Sequence, residues 1–133
     1  MLKTAGLLLA LVFLVAGCSS KPIYNPENRM IPISAQQFSI ERIESLIVQA
    51  GQTRNWKFTR EATGHLSAAQ THPKYSAVVD IYFDQKTYRI VYRSSVGFEA
   101  KNGMIHSHYN FWIRNLESDI NTRLSNAALI GAS

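Results

Sequence analysis

Apolar residues between positions 40 and 50 recur at steps of three and four, which is the spacing of one face of an α-helix. They are Ile40, Ile43, Leu46, Ile47 and Ala50. Ser39 precedes this run and is a favoured N-cap residue, and Phe38 and Ile43 have the spacing of a hydrophobic staple. Gly51 follows the run and is predicted to be the C-cap. The pattern therefore predicts a helix that covers a core.

The pattern then changes to alternation of apolar and polar side chains, which is typical of β-strands with one buried face. Residues 56–59 and 65–69 show this alternation on either side of Gly64, so we predict two short strands joined by a turn. Pro73 is expected to end the second strand, because proline cannot donate a backbone hydrogen bond.

A clearer hairpin is predicted for residues 77–84 and 87–94, with Gln85 and Lys86 in the turn. Pairing Phe83 with Tyr88 makes one face wholly apolar or aromatic, since the next pairs on that face are Ile81 with Ile90 and Val79 with Tyr92. The same register predicts that the other face holds Val78, Asp80 and Tyr82 opposite Arg93, Val91 and Arg89. Asp80 would then lie diagonally between two arginines.

A second helix is predicted to begin near His106, because apolar positions return to helical spacing there. Its apolar stripe consists of Tyr109, Trp112, Ile113, Leu116, Ile120 and Leu124. Asp119 with Arg123 and Arg114 with Glu117 have the spacing of ion pairs along a helix.

These elements predict an α+β fold, in which an antiparallel three- to four-stranded sheet has an N-terminal and a C-terminal helix packed on one face. We expect a single α+β domain over residues 34–133. Residues 18–33 contain three prolines and no clear apolar period, so they are predicted to form a flexible tether.

The N-terminus has the features of a bacterial signal peptide over residues 1–17, with Lys3 followed by a short apolar stretch. Leu14-Val15-Ala16-Gly17-Cys18 resembles the lipobox of bacterial lipoproteins. This resemblance implies cleavage before Cys18 and acylation of that residue, which would hold the chain on a membrane. Ser19, rather than Asp, follows Cys18 and favours the outer membrane by resemblance to the sorting pattern of such lipoproteins. The alternative is a secreted protein that carries no lipid.

A further resemblance lies in the strand pattern Tyr88-x-Ile90-x-Tyr92 with Ser94-Ser95, and in the helix that follows it. In that helix the matching residues are Ile105-His106, Tyr109-Asn110, Trp112 and Asn115-Leu116. The pattern is similar to that of small, functionally uncharacterised outer-membrane lipoproteins of Gram-negative bacteria, and it covers about residues 40 to 125. It implies a shared α+β domain but no catalytic role.

Composition narrows the classes of function. The chain of 133 residues has a formal charge of +5, which falls to +4 without Lys3, and it has no Lys/Arg run of the kind that indicates nucleic-acid binding. A single cysteine rules out an intramolecular disulfide. His106 and His108 are two residues apart, which does not suit two metal ligands on one helix face, so no metal and no cofactor are predicted.

The candidate binding residues are Tyr82, Arg89 and Arg93 on the polar face of the hairpin, because guanidinium groups bind carboxylates and phosphates bidentately. The alternative is a solvated face on which Asp80 is the counter-ion. The chain has no GxSxG motif and no P-loop, so we do not expect an enzyme, although a hydrolase without a sequence motif stays open.

We therefore expect a lipid-anchored envelope lipoprotein that acts as a non-enzymatic accessory or interaction module. Its partners would be the membrane, through lipidated Cys18, and an envelope protein, on the periplasmic side of the outer membrane. The alternative function is a periplasmic carrier that binds a small hydrophobic or anionic ligand between the sheet and the C-terminal helix.

Overall fold

The computed structural model describes residues 19–131. Its elements in chain order are β1 (Ser20–Pro22), β2 (Arg29–Met30), a 3₁₀ turn (Ile33–Ala35), α1 (Ile40–Gln52), β3 (Lys57–Ala62), β4 (His65–Thr71), β5 (Ser76–Phe83), β6 (Thr87–Val96), β7 (Met104–His106) and α2 (Ser107–Gly131). The predicted signal peptide and the lipobox with Cys18 lie outside the described residues. No helix in the described part is long and apolar enough to cross a membrane.

The strands form an antiparallel sheet of five strands in the order β2-β6-β5-β4-β3, and β1 pairs with β7 in a separate two-stranded ribbon. The α+β class is confirmed, but the predicted number of three to four strands is wrong. The fifth strand is β2, which has only two residues, both exposed. Such a short exposed strand leaves no alternation of apolar and polar residues for the sequence to show.

The first helix begins as predicted, since the Ser39 hydroxyl accepts a hydrogen bond from the Arg42 amide at 3.1 Å. It does not end at Gly51, which is buried inside the helix, and the C-cap is Thr53. A Cβ atom at Gly51 would collide with the Phe58 ring on β3. A side chain at this position would therefore force the Phe58 ring to move away from the helix.

Both helices cover the same face of the five-stranded sheet. The stripe predicted for α2 is buried, and Tyr109, Ile113, Leu116, Ile120 and Leu124 are all fully inaccessible to solvent, with Trp112 half-buried. They join the helical core residues Ile43 and Ile47 and the sheet residues Val79, Ile81 and Ile90 in one apolar cluster. The apolar face predicted for the β5–β6 hairpin is therefore the face of the sheet that packs against the helices.

The flexible tether predicted over residues 18–33 is wrong from Ser19 onwards, because this interval is bound to the rest of the domain. Ile31 is fully buried, and the Pro26 carbonyl accepts a hydrogen bond from the Ile90 amide at 3.0 Å. The Asn25 carboxamide accepts from the Tyr92 amide at 2.8 Å. The segment satisfies polar groups along the outer edge of β6, a role that requires neither an apolar period nor regular structure. The domain therefore begins before residue 34.

The ion pairs predicted along α2 are replaced by contacts between elements. Asp119 accepts a hydrogen bond from Arg54, beyond the end of α1, at 2.7 Å, and Glu117 pairs with Arg29 of β2 at 2.5 Å. Arg123 donates to Gln49 on α1. These charged side chains therefore join α2 to α1 and to the N-terminal segment.

Candidate interaction face of the sheet

The face of the sheet turned away from the helices carries polar side chains. Along β5 buried residues alternate with half-buried ones, and Val78, Asp80 and Tyr82 point to this second face. We call it the open face and define it by these residues and by those paired with Asp80 and Tyr82 on the neighbouring strands, namely His65 and Ser67 on β4 and Arg89 and Val91 on β6, together with Arg93. In the described structure neither helix packs on it.

Asp80 is the centre of a charged network on the open face. Its carboxylate accepts two hydrogen bonds from Arg93, at 3.0 Å from Nε and 2.5 Å from Nη2, and lies 2.7 Å from Nε2 of His65. Only 13% of the Asp80 side chain is exposed. Burial disfavours its ionised form, but the hydrogen bonds from Arg93 and His65 outweigh that effect and hold the pKa of Asp80 below its ordinary value.

A β-bulge places Arg93 over this carboxylate. Val79 pairs with Tyr92, whereas Val78 pairs with Ser94, so Arg93 is an extra residue in β6. The predicted pairs from Phe83–Tyr88 to Val79–Tyr92 are confirmed, but the predicted pairing of Val78 with Arg93 is wrong. The bulge re-aims the Arg93 side chain, which makes a bidentate contact with Asp80 instead of standing free above Val78.

Tyr82 lies between two other side chains of the open face. The His65 ring stacks on it with centroids 4.3 Å apart and planes 19° apart, and the Arg89 guanidinium lies 4.2 Å from its ring centroid on the neighbouring strand. Both contacts follow from the pairing of Tyr82 with His65 on β4 and with Arg89 on β6. The three side chains form a continuous row across three strands.

The two predicted arginines differ in what they bind. Arg93 is neutralised by Asp80, and its Nη2 also lies 3.9 Å from Glu61. Arg89 is exposed, and among the described residues its side chain has no carboxylate partner and no hydrogen bond, and its one ring contact is with Tyr82. The structure therefore places Tyr82 and Arg89 together as an available cationic site and assigns Arg93 to an internal network.

A shallow depression adjoins this pair. It has a volume of about 240 Å³ and is lined by Asn28, Gly64, Tyr82, Phe83, Asp84, Thr87, Tyr88 and Arg89. The carboxylate of Asp84 adds a negative charge to this depression, and it accepts hydrogen bonds from the Lys86 and Thr87 amides in the turn. These hydrogen bonds hold the pKa of Asp84 below its ordinary value.

Ser67, His65 and Asp80 meet on the open face, but they do not form a catalytic triad. His65 contacts Asp80, as the histidine of a triad would contact its carboxylate. Ser67 is 8% exposed, and its hydroxyl donates to Glu61 at 2.8 Å. In the described structure no serine hydroxyl is hydrogen-bonded to His65. The hydroxyl therefore lacks the base that would activate it.

The sequence pattern does not predict the contacts of His65 with Asp80 and Tyr82. Its partner Tyr82 follows only from the register between β4 and β5, which is set by the turn from His72 to Tyr75. The alternation within β4 is weak, and a shift of one residue would move His65 to the core face. Within residues 19–131, no group of three His, Cys, Asp or Glu side chains is arranged to hold a metal ion.

Comparison of the chain with known proteins found no matching family model, no similar curated protein and no similar solved structure. A function must therefore be argued from the residues of this chain.

Proposed function

We propose that this protein is a lipid-anchored lipoprotein of the bacterial outer membrane, and that its domain is a non-enzymatic interaction module on the periplasmic side. The lipobox Leu14–Cys18 supports the anchor. The observation that carries the interaction role is Arg89, an exposed arginine stacked on Tyr82 on a sheet face that neither helix covers.

The chemistry of the open face favours an acidic protein partner. Arg89 presents unpaired N–H donors, and the Tyr82 hydroxyl makes no hydrogen bond within the described part of the chain. Arginine and tyrosine are enriched in protein interfaces because they combine apolar area with hydrogen-bonding groups. A carboxylate of a partner protein could accept a bidentate hydrogen bond from Arg89 while the Tyr82 hydroxyl hydrogen-bonds the same partner.

The carrier hypothesis has less support, because the space between the sheet and α2 is occupied by side chains. Tyr109, Ile113 and Leu116 of the helix and Ile90 of the sheet are fully buried there. A ligand would have to displace this packing, which costs contacts in the core. Within the described residues the Tyr109 hydroxyl is buried without a hydrogen-bond partner, and it would suit a polar ligand atom.

Two experiments test the two parts of this proposal. Metabolic labelling with a fatty-acid analogue should mark the protein in cells, and Cys18→Ser should abolish the label, because no other cysteine is present to accept the lipid. Labelling of Cys18→Ser at the wild-type level would contradict the proposed anchor.

Crosslinking in intact cells tests the interaction face. Arg89→Ser should reduce the yield of a reproducible crosslinked complex by about tenfold or more, since the loss of one buried ionic contact in an interface typically costs about 2 kcal/mol. The matched control is Arg60→Ser, an exposed arginine on β3 that pairs with Glu44 of α1 rather than with a residue of the open face. Equal crosslinking in wild type, Arg89→Ser and Arg60→Ser would contradict the proposed site.

A further inference from the structure

The residue next to the proposed lipid is hydrogen-bonded to the domain. The Ser19 carbonyl accepts a hydrogen bond from the Ser107 amide at 3.0 Å, at the first residue of α2. Residues Ser20–Pro22 then pair with β7, and the buried Asn110 side chain bonds both the Pro22 carbonyl and the Tyr24 amide at 3.0 Å. Cys18 directly precedes Ser19 in the sequence, so a lipid on Cys18 would be attached one residue away from this hydrogen-bonded segment.

A lipid on Cys18 would therefore bring one particular surface of the domain to the membrane. This surface lies between β1 and the first turns of α2, where a groove of about 460 Å³ is open to solvent. We call it the anchor-end surface and define it by Lys21, Pro22, Ser107, Phe111 and Arg114, which line the groove. Ser107, Phe111 and Arg114 follow each other at steps of four and three, so they share one face of the helix.

The side chains of the anchor-end surface suit a phospholipid layer. Phe111 is 59% exposed, although it belongs to a helix whose other large apolar residues are mostly buried. Lys21 and Arg114 are exposed cations that line the same groove, and the Arg114 guanidinium lies 4.9 Å from the Tyr24 ring centroid. Among the described residues that line the groove there is no Asp or Glu. An exposed aromatic ring with cations in the same groove is the combination that enters the interface of an anionic membrane.

We propose that the anchor-end surface docks on the phospholipid headgroups of the membrane that holds Cys18, with Phe111 inserted among them. This inference rests on the proposed lipid anchor. It assigns the domain a fixed orientation, in which α2 begins at the membrane and extends away from it. The helix rises about 1.5 Å per residue, so Asn126 lies about 16 Å farther along its axis than Asn115.

The test measures the depth of two matched positions in the full lipidated protein. Asn115→Cys and Asn126→Cys replace exposed residues of the same type, and their separation of eleven residues places them on nearly the same helix face. Each is labelled with a thiol-reactive fluorophore and reconstituted into vesicles that contain phosphatidylglycerol and a lipid with a nitroxide on its headgroup. The probe at position 115 should be quenched strongly, and the probe at position 126 should match its level in vesicles without nitroxide.

A second variant tests the aromatic contact without moving the probe. Phe111→Ser in the Asn115→Cys background should lower the ratio of docked to undocked protein by about tenfold, because a phenyl ring no longer leaves water on docking. Lys21→Glu should have a smaller effect, of about fivefold, that disappears in phosphatidylcholine vesicles. Equal quenching at positions 115 and 126, or no effect of Phe111→Ser, would overturn the docking.

The anchor and the docking fail in different ways. Wild-type protein from membranes should float with vesicles and take up no thiol-reactive label, because an acylated Cys18 has no free thiol. If it takes up label and does not float, the proposed anchor is wrong and this inference falls with it. If the wild-type protein floats and takes up no thiol-reactive label, but the probes at positions 115 and 126 of the two variants are quenched equally, only the docking is wrong.

Discussion

The two faces of the five-stranded sheet are built from the same strands but depend on different interactions. On the packed face, Val79, Ile81 and Ile90 are fully buried beneath two helices. On the open face, Asp80, Tyr82 and their neighbours are held by ion pairs and ring stacking. Burial of apolar area stabilises the fold in proportion to the area, whereas partly exposed polar contacts contribute little. The packed face therefore contributes most of the stability, and the open face contributes less.

The largest expected difference in stability between the two faces comes from substitutions of two adjacent valines on β5. Val79→Ala should lower the free energy of unfolding by about 2–3 kcal/mol, because it removes buried methyl groups and leaves a cavity in the core. Val78→Ala makes the same chemical change on the half-buried open face, and it should cost less than about 1 kcal/mol. Urea unfolding followed by circular dichroism measures both, and equal losses would contradict the assignment of the two faces.

The packed face is also the part of the fold that the sequence predicts best. The register from Phe83–Tyr88 to Val79–Tyr92 and the apolar stripe of α2 follow from periodicity, because a core selects apolar residues at fixed steps. The bulge at Arg93 could not be predicted, since no glycine or other local signal marks it. The binding of residues 19–33 to the domain could not be predicted for a related reason, because hydrogen bonds of this kind produce no periodic pattern in the sequence.

The candidate site was predictable only in part. Tyr82 and Arg89 were placed together by the same register that fixed the core face. Arg93 is neutralised by Asp80, whereas Arg89 is not, and the sequence does not show this because the contact between Arg93 and Asp80 depends on the bulge. The surface formed by Phe111 and β1 could not be predicted either. Helical periodicity identifies the residues of α2 that face the core, but it does not show which of the remaining residues lie beside a distant segment.

A substitution in the charged network of the open face should have a smaller effect on stability, and this effect should depend on pH. The pKa of Asp80 is lower in the folded state than in the unfolded chain, where it is about 3.9, so its ionised form stabilises the fold. This contribution is fully present above about pH 4 and is lost as pH falls through the folded-state pKa. Asp80→Asn should therefore lower stability by about 1 kcal/mol at pH 7, and the difference from wild type should shrink at pH 3.

Urea unfolding at pH 7, 5, 4 and 3 measures this dependence. The control Glu27→Gln removes an exposed carboxylate that has no ion pair in the described part of the chain, and it should change stability little at any of these values. A difference between Asp80→Asn and wild type that stays constant from pH 7 to pH 3 would mean that the network does not depend on the charge of Asp80.

The smallest effect on stability is expected at Arg89, the side chain on which the proposed interaction depends. The only ionic or ring interaction of its side chain within the described structure is with the Tyr82 ring, and an exposed cation–π contact contributes about 0.5 kcal/mol. Arg89→Ser should therefore unfold at nearly the same urea concentration as wild type while it loses the crosslinked complex. A loss of stability as large as that of Val79→Ala would make Arg89 a structural residue. In that case the open face would serve the fold, and a weaker crosslink would no longer indicate a binding site.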